Sequence, residues 1–557
     1  MATSDKSGQG RAGSMSPVYR SGAPKETDSA RAGTAASVID NAGNADAAPQ
    51  APAGGRASSK LVFNGDPGDK KFPGSKKASE TTYKATGYNP KSEVENFSYT
   101  STRVAKRVYN RYPANDLTVF GYYTDWSQYD ARLEGDTYPA DAGRGADLML
   151  LSATAYDKLI IGFAGIVGDM GEKASTISRA ATDFERKTNE ATFVDAWGDV
   201  ASYVNCGFPG WISNDYMDLF TQETAQGVLG GLAKLKKKNP NLTLSFSLGG
   251  WTMSEAFHRV CADAGRRQTL VDSIASLLQR FPMFEAIDLD WEYPNAVGNG
   301  NPHGPEDAAN FQLLVSGIKK KLPKLKISIA AGASLTNLQS ADIPGMIAAG
   351  VEGINLMTYD FFGTPWAPTL AHHTNLHASH PDDPDEFSVD AAVDYLLANG
   401  VPSKQIFIGY AAYSRNARNA EISEWSPLTG TYDAGSGTTV GTFESGTTEW
   451  YDLIYNYVDF EHQTGLNGFN LYTDEIADAD YLYNPGTQLF MSVDTPRSVK
   501  AKGDYVRERG LGGLFTWTIE MDNGVLLNAA REGLGGKAIT QAVDMAPLYC
   551  KGVNVKD

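Results

Sequence analysis

The stretch EAIDLDWEYPN, residues 285–295, sets Asp288, Asp290 and Glu292 two residues apart, with Ile287, Leu289, Trp291 and Tyr293 between and around them. In a β-strand successive side chains alternate faces, so the three acids share one face, with Cα atoms about 7 Å apart per step. Two explanations compete. One is an amphipathic strand with a wet face; the other is a buried row of coupled acids built for proton transfer. The chain around the stretch decides between them.

Short apolar runs with β-type composition recur from Leu117 onward: 117–123, 158–166, 242–250, 286–293, 325–333, 353–359, 405–413 and 512–518. Helical patterns lie between several of them. In EDAANFQLLVSGIKKKL (306–322), Phe311, Leu314, Val315 and Ile318 fall on one helix face. Near-continuous apolar strands alternating with helices argue for parallel β-structure. Eight such units predict an α/β fold, a closed (β/α)8 TIM barrel. A doubly wound open sheet is the alternative, but no GxGxxG follows the first run. Two connections are too long for a plain βα unit and are predicted to be insertions. One follows strand 2 (about 169–240); the other, a small α+β unit, separates strands 7 and 8 (about 418–511).

With EAIDLDWEY as the fourth barrel strand, no wet face remains. The acids point inward and climb toward the C-terminal mouth, where barrel active sites lie. Like charges buried this close titrate together, and at least one pKa rises. An acid still protonated near neutrality is what a general acid requires. Trp291 faces the other way and is expected to pack beneath a helix. The strand lacks the run of loop oxygens that a Ca²⁺ or Mg²⁺ site needs.

FEAIDLDWEYP resembles the DxxDxDxE signature of the family 18 glycoside hydrolases, the chitinases, and other motifs agree at the proper strands. Ser247–Gly250 resembles SxGG on strand 3, and Met357–Asp360 resembles MxYD on strand 6. Trp517 matches the tryptophan that floors the cleavage subsite, and Tyr122 the tyrosine that supports the first inner acid. The resemblance spans about residues 117–535. It implies retention by substrate-assisted catalysis, with Glu292 as acid and base and Asp290 holding the acetamido N–H. Asp288 would lie beneath, bonded by Tyr122 and Ser247, while Tyr359 donates to the acetamido carbonyl and Asp360 holds the sugar. Met357, Tyr293 and Arg415 complete the implied cleft, and Trp126, Trp251, Trp366, Tyr413 and Trp517 are candidate stacking platforms. Two positions depart from the pattern. Glu285 replaces the first Asp at the start of the strand, where a structural effect is expected, and Ser414 replaces a glycine beside Arg415.

Within that family the layout resembles chitinase subunits of bacterial insecticidal toxin complexes. This implies chitin and N-acetyl-chitooligosaccharides as ligands, large complex subunits as partners and an extracellular destination. A chitin-binding lectin on the same fold is disfavoured by the presence of Glu292; the alternative function is a catalytically weak chitin-binding or structural subunit of a larger assembly, and a structural role is compatible with the enzyme. No cofactor is implied.

The remainder of the chain is less eventful. Among 557 residues the net charge is −17 and the pI near 5.0, which argues against nucleic acid and anionic membranes as partners. Cys206, Cys261 and Cys550 cannot form a disulfide framework and lack zinc spacing. The first 20 residues carry no apolar core of a classical signal peptide, and no apolar run is long and uncharged enough to span a bilayer. Residues 1–60, rich in Ala, Gly, Ser and Pro, are expected to be a disordered tail. Residues 61–116 are expected to form an N-terminal extension or small appendage, 117–540 the catalytic barrel and 541–557 a C-terminal tail. The loop HHTNLHASH (372–380) invites a metal reading, but a hydrogen-bonded loop is expected. KLKKKNPN (234–241) is expected to be the solvated C-terminus of a helix.

Overall fold

The computed structural model describes residues 59–62, 75–129, 144–380, 387–435 and 437–553. The expected disordered tail therefore lies almost wholly outside the described residues.

Eight parallel strands close on themselves. They are β1 (Thr118–Thr124), β2 (Lys158–Ile166), β3 (Thr243–Gly249), β4 (Phe284–Asp290), β5 (Lys326–Gly332), β6 (Gly353–Met357), β7 (Ile406–Ala411) and β8 (Gly513–Trp517). Each pairs with its neighbour in sequence, and β8 returns to β1 with Gly513 opposite Thr118. Their interiors are almost wholly buried because one side fills the barrel and the other lies under helices. Trp291 shows the outer layer. It is 1% exposed, stacked 5.4 Å from Phe257 and edge-on to Phe311 at 5.3 Å, both on helices that follow β3 and β4.

The mouth-side ends of three runs differ from expectation. β4 stops at Asp290, so Glu292 stands two residues beyond the strand, and β6 stops at Met357, before Tyr359. The seventh run is shared between two sheets. Ile406–Ala411 belongs to the barrel, whereas Tyr413–Ala417 opens the insertion. The apolar run continues because both pieces are buried, so hydropathy gives no sign of the change of sheet.

The insertion between β7 and β8 is a five-stranded antiparallel sheet, ordered 447–449, 413–417, 489–493, 479–484 and 470–474. It has its own small core, including Phe362, Leu370, Tyr481 and Phe490. A buried ion pair fastens it to the barrel. Lys502 Nζ lies 2.7 Å from Asp494 Oδ2 and 2.5 Å from Thr374 Oγ1, and the same Asp494 oxygen accepts the Ala411 N–H of β7 at 3.0 Å. The loop His372–His380 serves this junction: His372 Nε2 meets Asp474 Oδ2 at 2.9 Å, and the His373 N–H donates to Ser492 Oγ at 2.9 Å.

The connection after β2 contains a helix (Ala174–Asp183), a short strand (Ala191–Phe193) antiparallel to β2, and the helix Gly227–Lys238. Lys236–Lys238 fill the last turn of that helix, and Lys236 Nζ pairs with Glu285 at 2.9 Å. Glu285 is thus a surface partner at the start of β4, away from the chemistry.

Residues 97–112 run along the barrel and the insertion as a strap. Ser98 Oγ donates to Asp452 at 2.5 Å, the Val108 N–H to the Asn523 carbonyl at 2.9 Å, and the Arg111 N–H to the Thr540 carbonyl at 2.9 Å. Asn523 and Asn528 donate back to the carbonyls of Lys106 and Val108 at 2.9 and 2.8 Å. Val104 and Val108 are buried in the same core as the barrel. No helix among the described residues is long and apolar enough to cross a membrane.

Candidate active site

Asp288 occupies the barrel interior and is completely buried. Oδ2 accepts from Tyr122 Oη and Ser247 Oγ, both at 2.9 Å; Oδ1 accepts from Ser328 Oγ at 2.6 Å and Asn355 Nδ2 at 2.9 Å. The expected Tyr122 and Ser247 are therefore joined by Ser328 on β5 and Asn355 on β6. Burial raises the Asp288 pKa, and these donors oppose the rise.

One step nearer the mouth, Asp290 has a different environment. Its Oδ1 is buried without a hydrogen-bond partner. Burial first, and then the charges of Glu292 and Asp288, push its carboxyl well above the ordinary range. Two neighbouring acids in such unlike surroundings leave the lower one poised to carry charge and the upper one to hold a proton.

The glycines of SLGG have a steric reason. Gly249 and Gly250 have φ of +112° and +93°, and a Cβ on Gly249 would lie 2.3 Å from the Asp290 carbonyl oxygen. Only glycine allows β3 to pass so close to β4 there. The Gly250 N–H donates to that carbonyl at 2.7 Å, and Ser254 Oγ does so at 3.1 Å.

Ser254 then accepts the Glu292 N–H at 3.0 Å, while Asn301 Nδ2 donates to the Glu292 carbonyl at 3.0 Å. The backbone of Glu292 is held on both sides although it lies outside the strand. Its side chain is 8% exposed. Burial, with help from the charge of Asp360, raises the carboxyl to about 7 against the lowering hydrogen bonds of Tyr293 and the Trp251 backbone.

Tyr359 and Asp360 follow β6. Arg415 grips Asp360 with both prongs, Nε to Oδ1 at 2.7 Å and Nη2 to Oδ2 at 2.8 Å, and Tyr413 Oη adds a bond at 2.8 Å. Burial would raise the Asp360 pKa, but the guanidinium overrides it and holds the carboxyl well below the usual carboxylate range. Ser414, in place of the expected glycine, is buried and donates to Asn416 Oδ1 at 2.7 Å. Arg415→Lys should break the two-pronged contact. The expected result is a drop of about 10–100-fold in kcat/KM on chitooligosaccharides with Tm little changed, measured by steady-state assay and calorimetry.

Trp517 closes β8 within 5.4 Å of Tyr122, and Phe163 stacks between it and Trp126, at 5.6 and 6.3 Å. Nothing in the sequence distinguishes Phe163 from a core residue, because it sits in an apolar strand. Trp251 packs edge-on to Tyr293 at 6.4 Å. Trp366 is 49% exposed at the rim, with the Arg415 guanidinium 5.2 Å from its ring. Tyr359 stands edge-on to Tyr413 at 6.4 Å. Burial and the surrounding acids push its phenol well up, which keeps it a neutral donor. Met357 ends β6, opposite Gly332.

Metal ligands are sparse. Among the described residues, His258, Glu306 and Asp307 approach within 4.8 Å of one another. The Asp307 carboxylate is already filled by His258 Nδ1 at 2.7 Å and by the N–H groups of Asn295 at 3.1 Å and Gly304 at 2.8 Å, a clamp on the loop after Glu292.

The family model for glycosyl hydrolases family 18 matches residues 118–522. Chitinase 1 of Yersinia entomophaga is 41% identical over 515 residues, covering 88% of this chain and 94% of the relative. Chitinase 2 of the same organism is 37% identical over 524 residues, covering 86% and 82%. The crystal structure of the chitinase Chi1, fitted into the structure of the Yersinia entomophaga toxin complex, superposes with a TM-score of 0.83 at 41% identity, covering 88% of this chain and all of that one. Chitinase ChiA74 from Bacillus thuringiensis superposes with a TM-score of 0.63 at 26% identity, covering 75% and 70%.

Proposed function

The chain belongs to family 18 of the glycosyl hydrolases, and from that premise we propose that it cleaves β-1,4-linked N-acetylglucosamine polymers with retention, the substrate's own acetamido group acting as nucleophile. It is a glycoside hydrolase of the chitinase type. The observation that carries the finer proposal is Glu292, held at the barrel mouth with its carboxyl near 7, above the unpartnered Oδ1 of Asp290.

Glu292 gives its proton to the glycosidic oxygen as the bond to the anomeric carbon breaks. The acetamido carbonyl oxygen attacks that carbon and forms an oxazolinium ring. Water then opens the ring, its proton passing to Glu292, which restores the enzyme. Asp290 accepts from the acetamido N–H and holds the group in line. Tyr359 donates to the acetamido carbonyl, and Asp288 and Asp290 share one proton, which rests on Asp290 while Asp288 carries the negative charge and can move to Asp288 as positive charge builds on the acetamido group. The Trp517 ring supplies the flat floor. Family 18 thereby departs from the two-carboxylate scheme of most glycosidases. Release of reducing ends from N-acetyl-chitooligomers tests the activity directly.

The pH dependence follows in sign. Chemistry needs Glu292 protonated, so kcat/KM should fall about tenfold per pH unit as pH rises past about 7. A profile flat to pH 9 would remove Glu292 from the role of acid.

We further propose that this chain is a secreted subunit of a toxin complex; the support is its likeness to Chi1 along all of that chain. Co-purification with large partner subunits from the native source tests it. For domain layout, the proposal is a catalytic unit at 117–540 with the preceding segment as an extension. The strap refines it: starting the chain at residue 98 should preserve activity within a few-fold. Starting at 113 strips the bonds to Asn523, Asn528 and Thr540 and should lower Tm by several degrees. Differential scanning calorimetry of the two truncations separates these outcomes.

A further inference from the structure

The catalytic row contains buried acids, and the residue beneath it has no place in the proposed chemistry. Lys158 opens β2, in register with Phe120 on β1 and Thr243 on β3. Its Nζ lies 3.7 Å from the centre of the Phe120 ring and 5.8 Å from that of Phe407, which places the ammonium over aromatic faces on the barrel floor. Phe120 and Tyr122 share one face of β1. Phe120 seats Lys158, and Tyr122, one step higher, donates to Asp288. The lysine therefore belongs to the layer directly below the lowest acid.

Asp288 accepts four hydrogen bonds, from Tyr122, Ser247, Ser328 and Asn355, and all four donors are neutral. Neutral donors spread a buried charge without cancelling it. We propose that Lys158 is the counter-ion of the acid row, a positioning residue that keeps Asp288 a carboxylate and so leaves the mobile proton on Asp290. The charged and titratable groups around this axis are Asp288 and Asp290 from β4, Tyr122 from β1, Lys326 at the exposed start of β5, and Glu292 and Tyr359 at the mouth. Burial pulls the lysine down to about 8, and Asp288 pulls it back up; in return the lysine lowers Asp288. The ammonium is thus charged across the range in which Glu292 holds its proton.

The inference rests on the proposed roles of Asp288, Asp290 and Glu292, and its test can fail separately from theirs. In the full chain, Lys158→Met keeps an unbranched stem over Phe120 and removes the charge, while Lys158→Arg keeps the charge. The readout is the pH profile of kcat/KM from pH 4 to 9 on a chromogenic N-acetyl-chitooligosaccharide. In Lys158→Met the acidic limb should move up by about one pH unit, a tenfold loss on that limb with little change near pH 7. In Lys158→Arg the limb should stay in place. A uniform loss in Lys158→Met with an unmoved limb overturns the inference, because packing alone would do that. Lys158→Gln is a second neutral variant. If both neutral variants misfold and Lys158→Arg folds, the floor requires the charge, as proposed; if Lys158→Arg misfolds as well, it requires the lysine's shape and the inference falls. Full activity in Glu292→Gln would instead indict the acid row itself.

Discussion

Glu292→Gln is expected to reduce hydrolysis of N-acetyl-chitooligomers by at least about a thousandfold while leaving their binding nearly intact. The amide keeps the volume of the carboxyl and can still fill its place beside Tyr293, but it has no proton to give to a leaving alkoxide. Linkage supplies an independent check. A carboxyl raised to about 7 in the fold, against about 4.3 in the unfolded chain, binds its proton more tightly when folded. Its contribution is fully present below the unfolded value and is lost as pH rises through about 7. The variant escapes that loss, so at pH 8 it should melt above wild type by a few degrees, with no advantage at pH 4. A reducing-end assay tests the first part, titration calorimetry with an oligomer the second, and melting curves at both pH values the third. Turnover within tenfold of wild type would place the proton donor elsewhere.

Substrates without the acetamido group should fail almost completely. Positioned intramolecular nucleophiles reach effective molarities of about 10⁵–10⁸ M, and no side chain in the proposed mechanism replaces the missing oxygen. Cellooligosaccharides and fully deacetylated chitosan are therefore expected to be cut at least about 10⁴-fold more slowly than N-acetylated oligomers of equal length. The first product from the latter should be the β-anomer, because two displacements at one carbon restore its configuration. Rapid NMR of the fresh product decides this. Initial α-anomer would mean that water attacks directly and that Asp290 does not hold the nucleophile.

Much of this architecture is legible in the chain itself. A buried parallel strand must be apolar along its whole length, so the eight barrel strands stand out as eight runs, and three acids in one of them demand an explanation. The strand ends that fall short of their apolar runs have one cause: burial continues past Asp290, Met357 and Ala411 because the mouth is covered by its own loops and by the insertion. Ser328 and Asn355 left a fainter trace, each a single polar residue inside an apolar strand, with nothing nearby to say that it meets Asp288. Lys158, at the first position of its strand, passes for an ordinary surface residue. The strap is the least visible feature. Its bonds join residues 106–110 to Asn523 and Asn528, more than 400 positions away, and no local periodicity records such a contact.

The junction of insertion and barrel has a mechanical consequence. Lys502 with Asp494 secures the base of the insertion, Arg415 with Asp360 ties its first strand to the cleft, and Ser98 with Asp452 braces it from the strap. A wall riveted at three such points behaves as a die, whereas a jaw needs a hinge. Swinging that wall away from the barrel would have to part all three contacts together.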